Sequence, residues 1–179
     1  MPASRAYNDG LANIQASTRS MSLDEFDIIE RYFRRPLPAR DDVLVGIGDD
    51  AAVVRIGDRH TLVTSVATLS AAAWDDCAGD PSRLGHDAMA MALDQLAAAG
   101  AQPAWATLAL TLPEADESWL AAFSDALFAV SEPLSVALIG GDTTRGPFTV
   151  TVVGHGLLDR DAAHTDPDLP AGQRADPEA

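Results

Sequence analysis

The feature that most constrains this sequence is a regular apolar stripe between residues 116 and 131. Leu120, Phe123, Leu127 and Val130 recur at the spacing of an α-helix with one buried face. Other apolar elements must cover such a face. The chain has 179 residues, of which 47% are hydrophobic, so it can form one core around this helix.

Two further helices and several short strands are predicted around this stripe. Asp80 caps a helix over residues 81–99, which ends before Gly100. Ser22 opens a capping box at the start of an amphipathic helix over residues 22–34. The predicted strands cover residues 43–46, 51–56, 61–66, 104–112, 136–139 and 148–158. Segment 70–80 has no clear period and is expected to be irregular.

This order of elements predicts an α+β fold in which helices cover one face of a mixed sheet. Residues 1–20 are small and polar, and we interpret them as a flexible arm before a domain at 21–161. Residues 162–179 are rich in Asp, Pro, Ala and Gly, which favours a disordered acidic tail.

The charge balance excludes some partners. With 12 basic and 27 acidic residues the formal net charge is −15, which argues against binding nucleic acid or an anionic membrane through a basic surface. The sequence has no run of about 18 apolar residues and no signal-peptide pattern, so we expect a cytoplasmic protein. Cys77 is the single cysteine, which excludes an internal disulfide and a zinc site built on paired cysteines.

Two segments combine glycine with aspartate after a predicted strand, at residues 46–50 (GIGDD) and 140–146 (GGDTTRG). Glycine allows the backbone to approach a phosphate closely, and aspartate supplies the oxygen ligands that Mg²⁺ prefers. The alternative is that both are ordinary turns. Neither segment is a Walker loop, because no Gly-Lys-Ser/Thr follows, and the first lacks the third glycine of a dinucleotide fingerprint.

Long stretches of the chain resemble the N-terminal domain of thiamine-monophosphate kinase, in the aminoimidazole ribonucleotide synthetase superfamily. The matching segments are SLDEFDIIERYF (22–33), GIGDDAA (46–52), DQLAAAGAQPAWATLALTLP (94–113), ESWLAAFSDALF (117–128) and LIGGDTTRGP (138–147). Their order and spacing also match, over about 135 residues. The family transfers the γ-phosphate of ATP to thiamine monophosphate, and aspartates of this domain hold several Mg²⁺ ions there.

The resemblance implies which residues of this chain are remnants of that site. The implied vestigial metal ligands are Asp49, Asp50, Ser65 and Asp142. The implied vestigial nucleotide or phosphate loop consists of Gly140, Gly141, Asp142, Thr143, Thr144 and Arg145.

Four other functional positions depart from the family pattern. Ala67 stands where the family has a metal-binding aspartate, and Gln95 replaces a second one on the helix. An amide is a poorer Mg²⁺ ligand than a carboxylate. Trp74 replaces a substrate-contacting histidine, and by simple counting Asp166 replaces an ATP-binding arginine. The family's C-terminal domain also has no counterpart in these residues, so we expect no kinase activity from this chain alone.

Two classes of function remain open. The first is a non-catalytic binding or assembly protein, which by resemblance forms a homodimer through its sheet. For this class we expect no cofactor, with Mg²⁺ and ATP bound only if residual family activity remains. The second is an enzyme: either an ATP- and Mg²⁺-dependent phosphotransferase that works with a separately encoded second half, or a chain that retains weak phosphate-ester chemistry at Asp49 and Asp142. Leu108 and Leu110 are expected on the strand at the dimer interface, and another protein is an alternative partner.

The remaining distinctive side chains are predicted to be structural. Trp74, Trp105 and Trp119 are interpreted as packing residues rather than a stacking platform. His155, between two glycines, is also expected to be structural, and Cys77 has no neighbour that would activate it. Met89 and Met91 are expected to pack within their helix.

Overall fold

The computed structural model of this chain describes residues 25–36 and 40–160. The helices are α1 (Glu25–Ile28), a π-helical turn (Ile29–Phe33), α2 (Ala71–Asp76), α3 (Pro81–Ala98), α4 (Glu117–Ser131) and a 3₁₀ turn (Glu132–Leu134). The strands are β1 (Val43–Val45), β2 (Val53–Val54), β3 (His60–Leu69), β4 (Gln102–Leu112), β5 (Ala137–Arg145) and β6 (Thr149–Asp159). The predicted arm at 1–20 and tail at 162–179 lie outside the described residues.

Four strands form one mixed sheet in the order β3-β6-β4-β5. Strand β6 lies antiparallel to both β3 and β4, whereas β4 and β5 run parallel because α4 connects them. The α+β prediction with a mixed sheet is therefore confirmed. Strands β1 and β2 form a separate two-stranded antiparallel pair.

Helices α3 and α4 pack against one face of the sheet and against each other. The Asp80 side chain accepts hydrogen bonds from the backbone N–H groups of Ser82 and Arg83, so the predicted cap of α3 is confirmed. A Cβ on Gly85 would lie 2.2 Å from the carbonyl oxygen of Phe123, so glycine allows the two helices to approach closely.

The apolar stripe of α4 faces this core as predicted. Leu120, Phe123 and Leu127 are fully buried, and Val130 is partly buried against the same core. From the N-terminal side, Phe33 contacts Phe123 edge to face with ring centroids 6.5 Å apart. The first helix therefore packs on α4 rather than on the sheet alone.

The β1–β2 pair covers one end of the opposite face. Its side chains pack around Trp105, which is fully buried. The Trp105 indole N–H donates to the Asp42 carboxylate at 3.2 Å, and the Arg40 guanidinium lies 2.5 Å from that carboxylate. Both bonds hold the pKa of Asp42 below its usual range, the arginine contributing most.

Several predicted elements need correction. Segment 70–80 is not wholly irregular, because α2 forms there and packs the partly buried Trp74 against the core. The strand predicted at 51–56 has only two paired residues, since only Val53 and Val54 find partners on β1. Strand β3 continues past Val66 to Leu69 because β6 supplies pairing along its whole length.

Other corrections concern orientation. Leu108 and Leu110 face the helices, 4% and 1% exposed, and not a free face of the sheet. Met89 is fully buried as predicted, but Met91 is 42% exposed because it lies off the buried stripe of α3. The helix predicted at 22–34 changes to a π-helical turn at Ile29. None of the helices in the described ranges is long and apolar enough to cross a membrane.

Candidate functional site

The first acidic segment, residues 46–50, forms an exposed turn beside the N-terminal helix. The Asp49 side chain accepts a hydrogen bond from the Asp50 backbone N–H at 2.8 Å. The nearest atom of the Arg34 guanidinium lies 3.6 Å from the position that a Cβ on Gly48 would occupy, which is an ordinary van der Waals distance. A basic side chain therefore lies against an acidic turn.

The second acidic segment is not the loop that the sequence predicted. Residues 140–145 belong to strand β5 and pair in parallel with β4, Asp142 opposite Ala109 and Thr143 opposite Leu110. The glycines and the aspartate suggested a turn, but the long strand β4 offers backbone partners for the whole segment. Of the proposed phosphate-binding residues, Thr143 is buried, whereas Gly141, Asp142, Thr144 and Arg145 are exposed.

Two residues of that segment already have side-chain partners. The Thr144 hydroxyl lies 2.9 Å from the hydroxyl of Thr111 on β4. The Arg145 Nε donates to the Pro113 carbonyl at 3.2 Å. These contacts fasten the end of β5 to the end of β4.

A cavity of about 780 Å³ lies between the first helix and the edge of β5, and both acidic segments line it. Asp49, Asp50, Asp142, Gly140, Gly141 and Thr143 all line it, as do Ile47 and Gly48. The volume is in the range of small-molecule sites. The two segments that were singled out in the sequence thus border one cavity.

The first helix supplies lining residues that the sequence reasoning missed. Phe26, Ile29 and Phe33 contribute apolar surface, and Asp27, Glu30 and Arg34 contribute charge. The Arg34 guanidinium is 2.8 Å from Glu30, so part of its charge is compensated within the helix. No feature of the sequence indicates this role, because Phe26, Ile29 and Phe33 have the spacing of an ordinary amphipathic packing helix.

The carboxylates around the cavity do not converge on one point. Among residues 25–36 and 40–160, no group of three or more His, Cys, Asp or Glu side chains is placed to hold a metal ion. A site for several Mg²⁺ ions needs more hard oxygen ligands close together than these residues supply. The residues present therefore do not fit the multi-metal site that the family resemblance implies.

Ser65, the fourth implied metal ligand, lies away from the cavity. It is on β3, at the opposite edge of the sheet from Asp142 on β5, with β6 and β4 between them. Three strand spacings correspond to roughly 14 Å. The Ser65 hydroxyl is buried and donates to the Ala92 carbonyl of α3 at 2.7 Å.

Ala67 and Gln95 stand where the family has metal-binding aspartates, and their surroundings differ. Ala67 is 4% exposed and belongs to the main hydrophobic core between β3 and the helices. Gln95 is exposed on α3. The apolar residue at position 67 is thus integrated into packing, whereas the amide at position 95 faces solvent.

Trp74 is a packing residue, as predicted. Its ring stacks on Trp119 with centroids 5.6 Å apart and contacts Phe148 at 4.9 Å. The Trp119 indole N–H donates to the Gly79 carbonyl at 2.9 Å, which fastens the segment after α2. The aromatic group fills core space on the helix side of the sheet.

Comparison with known proteins places these features in a family. The family model described as AIR synthase related protein, N-terminal domain, matches residues 48–158. The thiamine-monophosphate kinase of Salmonella typhimurium is 51% identical over 138 residues, and that of Escherichia coli strain K12 is 49% identical over 138 residues. Both alignments cover 77% of this chain and 42% of the relative.

A solved structure agrees with the sequence comparison. The crystal structure of thiamine-monophosphate kinase from Stenotrophomonas maltophilia K279a is 45% identical, with a TM-score of 0.64. The match covers 69% of this chain and 39% of that structure. The chain thus spans less than half the length of the relatives it matches. It belongs to the AIR synthase related proteins and is homologous to the N-terminal part of thiamine-monophosphate kinases.

Proposed function

We propose that this chain is a non-catalytic homologue of the thiamine-monophosphate kinase N-terminal domain that acts as a dimeric binding or assembly protein. The observation that carries the proposal is how two side chains of β3 are engaged. Ala67 is packed in the core, and the Ser65 hydroxyl is bonded to the Ala92 carbonyl. These are positions where the resemblance implies metal ligands.

The acidic cavity supports the same proposal. It retains Asp49, Asp50 and Asp142, but in the described ranges no three ligand-type side chains converge. Phosphoryl transfer depends on positioning and on neutralising charge with metal ions. Three separated carboxylates at one edge of the sheet are a poor basis for that chemistry, yet they leave a concave surface suited to binding.

The dimeric part of the proposal is supported by the free face of the sheet. Leu62 and Val66 of β3 are 44% and 57% exposed on the face opposite the helices. Exposed β-branched and aliphatic side chains on a sheet favour association with another surface. The family resemblance implies that the surface belongs to a second copy.

The experiment combines an activity assay with calorimetry. We expect no Mg²⁺-dependent conversion of thiamine monophosphate and no enthalpy of binding for Mg²⁺ with ATP. The Asp142→Asn variant is the matched control, because it removes one retained carboxylate at an exposed position. Turnover by the unmodified chain that is lost in Asp142→Asn would overturn the proposal.

A second function is favoured by the retained cavity. Asp49, Asp50 and Asp142 line one small-molecule-sized space, which suits a phosphotransferase completed by a separately encoded second half. The test is to mix this chain with the purified C-terminal part of the Salmonella relative and assay thiamine monophosphate and ATP. Activity in the mixture that depends on Asp142 would support this function over the first.

A further inference from the structure

On the face of the sheet away from α3 and α4, the central stretches of β3, β6 and β4 carry no charged side chain, whereas β5 presents the exposed Asp142 opposite Ala109. The uncharged surface consists of alternate residues of β3 from Leu62 to Thr68, of β6 from Thr149 to His155 and of β4 from Thr107 to Thr111, and we call it the open face. Hydrogen bonds between Thr64 and His155 at 3.3 Å and between Thr68 and Thr151 at 2.9 Å show that these alternate positions share one side. At neutral pH no side chain of the open face is ionised.

The absence of charge on the open face favours contact with a second copy of the same chain. Each chain has a formal net charge of −15, so two copies repel over most of their surfaces. The uncharged open face is the surface where two copies meet with the least repulsion. Its exposed Leu62 and Val66 would lose contact with water there.

His155 is the one ionisable side chain of the open face. It lies on β6 between Thr64 of β3 and Trp105 of β4 in the strand register, and it is half-buried. Its Nδ1 is 3.3 Å from the Thr64 hydroxyl, which is a neutral partner. A proton on this ring would place a positive charge in an apolar, hydroxyl-lined surface.

The charged groups around His155 are already engaged or distant. Asp42 and Arg40 contact the neighbouring Trp105, but the Asp42 carboxylate is paired with that arginine at 2.5 Å. His60 and Asp159 face each other at the strand ends. Asp159 is four residues along β6 from His155, about 13 Å at strand spacing, beyond effective reach at physiological salt.

We infer that His155 makes the association of two copies through the open face dependent on pH, with the neutral imidazole permitting the dimer and the protonated imidazole opposing it. The inference rests on the proposed dimer and adds a regulatory group to it. In the free chain, burial already lowers the pKa of His155 and so favours the neutral imidazole. A second copy on the open face would remove more water from the ring and favour the neutral form further.

The sign and size of the effect follow from proton linkage. Each dimer would exclude two protons, one per His155, so acidification favours separate chains. Between the pKa values of the dimer and the free chain, the dissociation constant rises by up to about 100-fold for each pH unit. From pH 7.5 to pH 5.5 we therefore expect the dissociation constant to rise by up to about 100-fold, the limit that an unperturbed imidazole would give.

The experiment measures sedimentation velocity of the whole chain at pH 7.5, 6.5 and 5.5, with circular dichroism at each pH to confirm that the chain stays folded. We expect a dimer at pH 7.5 that dissociates at pH 5.5. The His155→Gln variant should remain dimeric across this range. The matched control His86→Gln, at an exposed position on α3, should keep the pH dependence of the unmodified chain.

The outcomes separate this inference from the proposed dimer. A monomer at pH 7.5 overturns both. A dimer whose dissociation constant is unchanged at pH 5.5, or whose pH dependence persists in His155→Gln, overturns the role of His155 alone. If His155→Gln does not fold, NMR titration of the His155 ring in the unmodified chain decides, because an equal pKa at dimeric and monomeric concentrations contradicts the inference.

Discussion

The carbonyl oxygen of Leu108 on β4 lies only 1.8 Å from the position that a Cβ on Gly141 would occupy. Gly141 also has a φ of +151°, which side-chain-bearing residues rarely adopt. Strands β4 and β5 therefore approach each other at a point where only glycine fits. This contact holds Asp142, the next residue, at the edge of the cavity.

The first prediction concerns this contact. Gly141→Ala should lower the free energy of unfolding by about 3 kcal/mol or more, through strain and displacement of β5. Gly140→Ala is the matched control, since its Cβ would have no neighbour closer than 4.0 Å. Chemical denaturation measures both variants. Equal stability of the two would show that β5 does not lie against β4 as described.

The second prediction distinguishes the two faces of the sheet. Leu110→Asp should unfold the chain, because it buries an unpaired carboxylate at a position that is 1% exposed. Val66→Asp, at a position 57% exposed, should leave the monomer folded and weaken only self-association. Circular dichroism and light scattering separate these results. A folded Leu110→Asp monomer would restore the earlier expectation that Leu110 lies at an interface.

The third prediction tests whether the site on β3 is closed by packing. Ala67→Asp should lower the free energy of unfolding by about 2–4 kcal/mol, because it inserts a carboxylate into the core. Thr61→Asp, at an exposed position of the same strand outside the open face, should cost less than about 1 kcal/mol. Thermal denaturation with and without Mg²⁺ gives the readout. Recovery of Ala67→Asp stability by Mg²⁺ would instead indicate that a metal site re-forms there.

The elements predicted correctly from the sequence are those specified by local interactions. The Asp80 cap and the stripe of α4 depend on residues within one or two turns, and both agree with the structure. Strand β5 was missed beyond residue 139 because its glycines and aspartate favour turns locally. Pairing with β4, a contact between segments distant in sequence, decides its conformation.

The candidate site also contains residues that a local motif identifies and residues that only the packing brings there. Asp49 and Asp142 could be identified because each lies in a recognisable glycine–aspartate motif. The contribution of Phe26 and Arg34 could not, because it depends on how the first helix packs against α4 and the turn at Gly48. The separation of Ser65 from the cavity likewise follows from strand order, which no local motif encodes.

The fourth prediction concerns acid stability and Asp42. The pKa of Asp42 is lowered by Arg40 and, secondarily, by the Trp105 indole N–H. A carboxyl whose folded pKa is depressed stabilises the fold above its unfolded pKa, and this contribution is lost as the pH falls through the folded value. Asp42→Asn keeps an oxygen acceptor for Trp105 but removes the charge that pairs with Arg40.

We therefore expect Asp42→Asn to be less stable than the unmodified chain at pH 7, with the difference shrinking as the pH falls below about 4. Denaturation series at pH 7, 5, 4 and 3 measure this convergence. The control Asp58→Asn changes an exposed carboxylate in the turn before β3, and its difference from the unmodified chain should stay near zero at every pH. A stability difference for Asp42→Asn that does not change with pH would show that the ionised carboxylate does not support the β1–β2 end of the sheet.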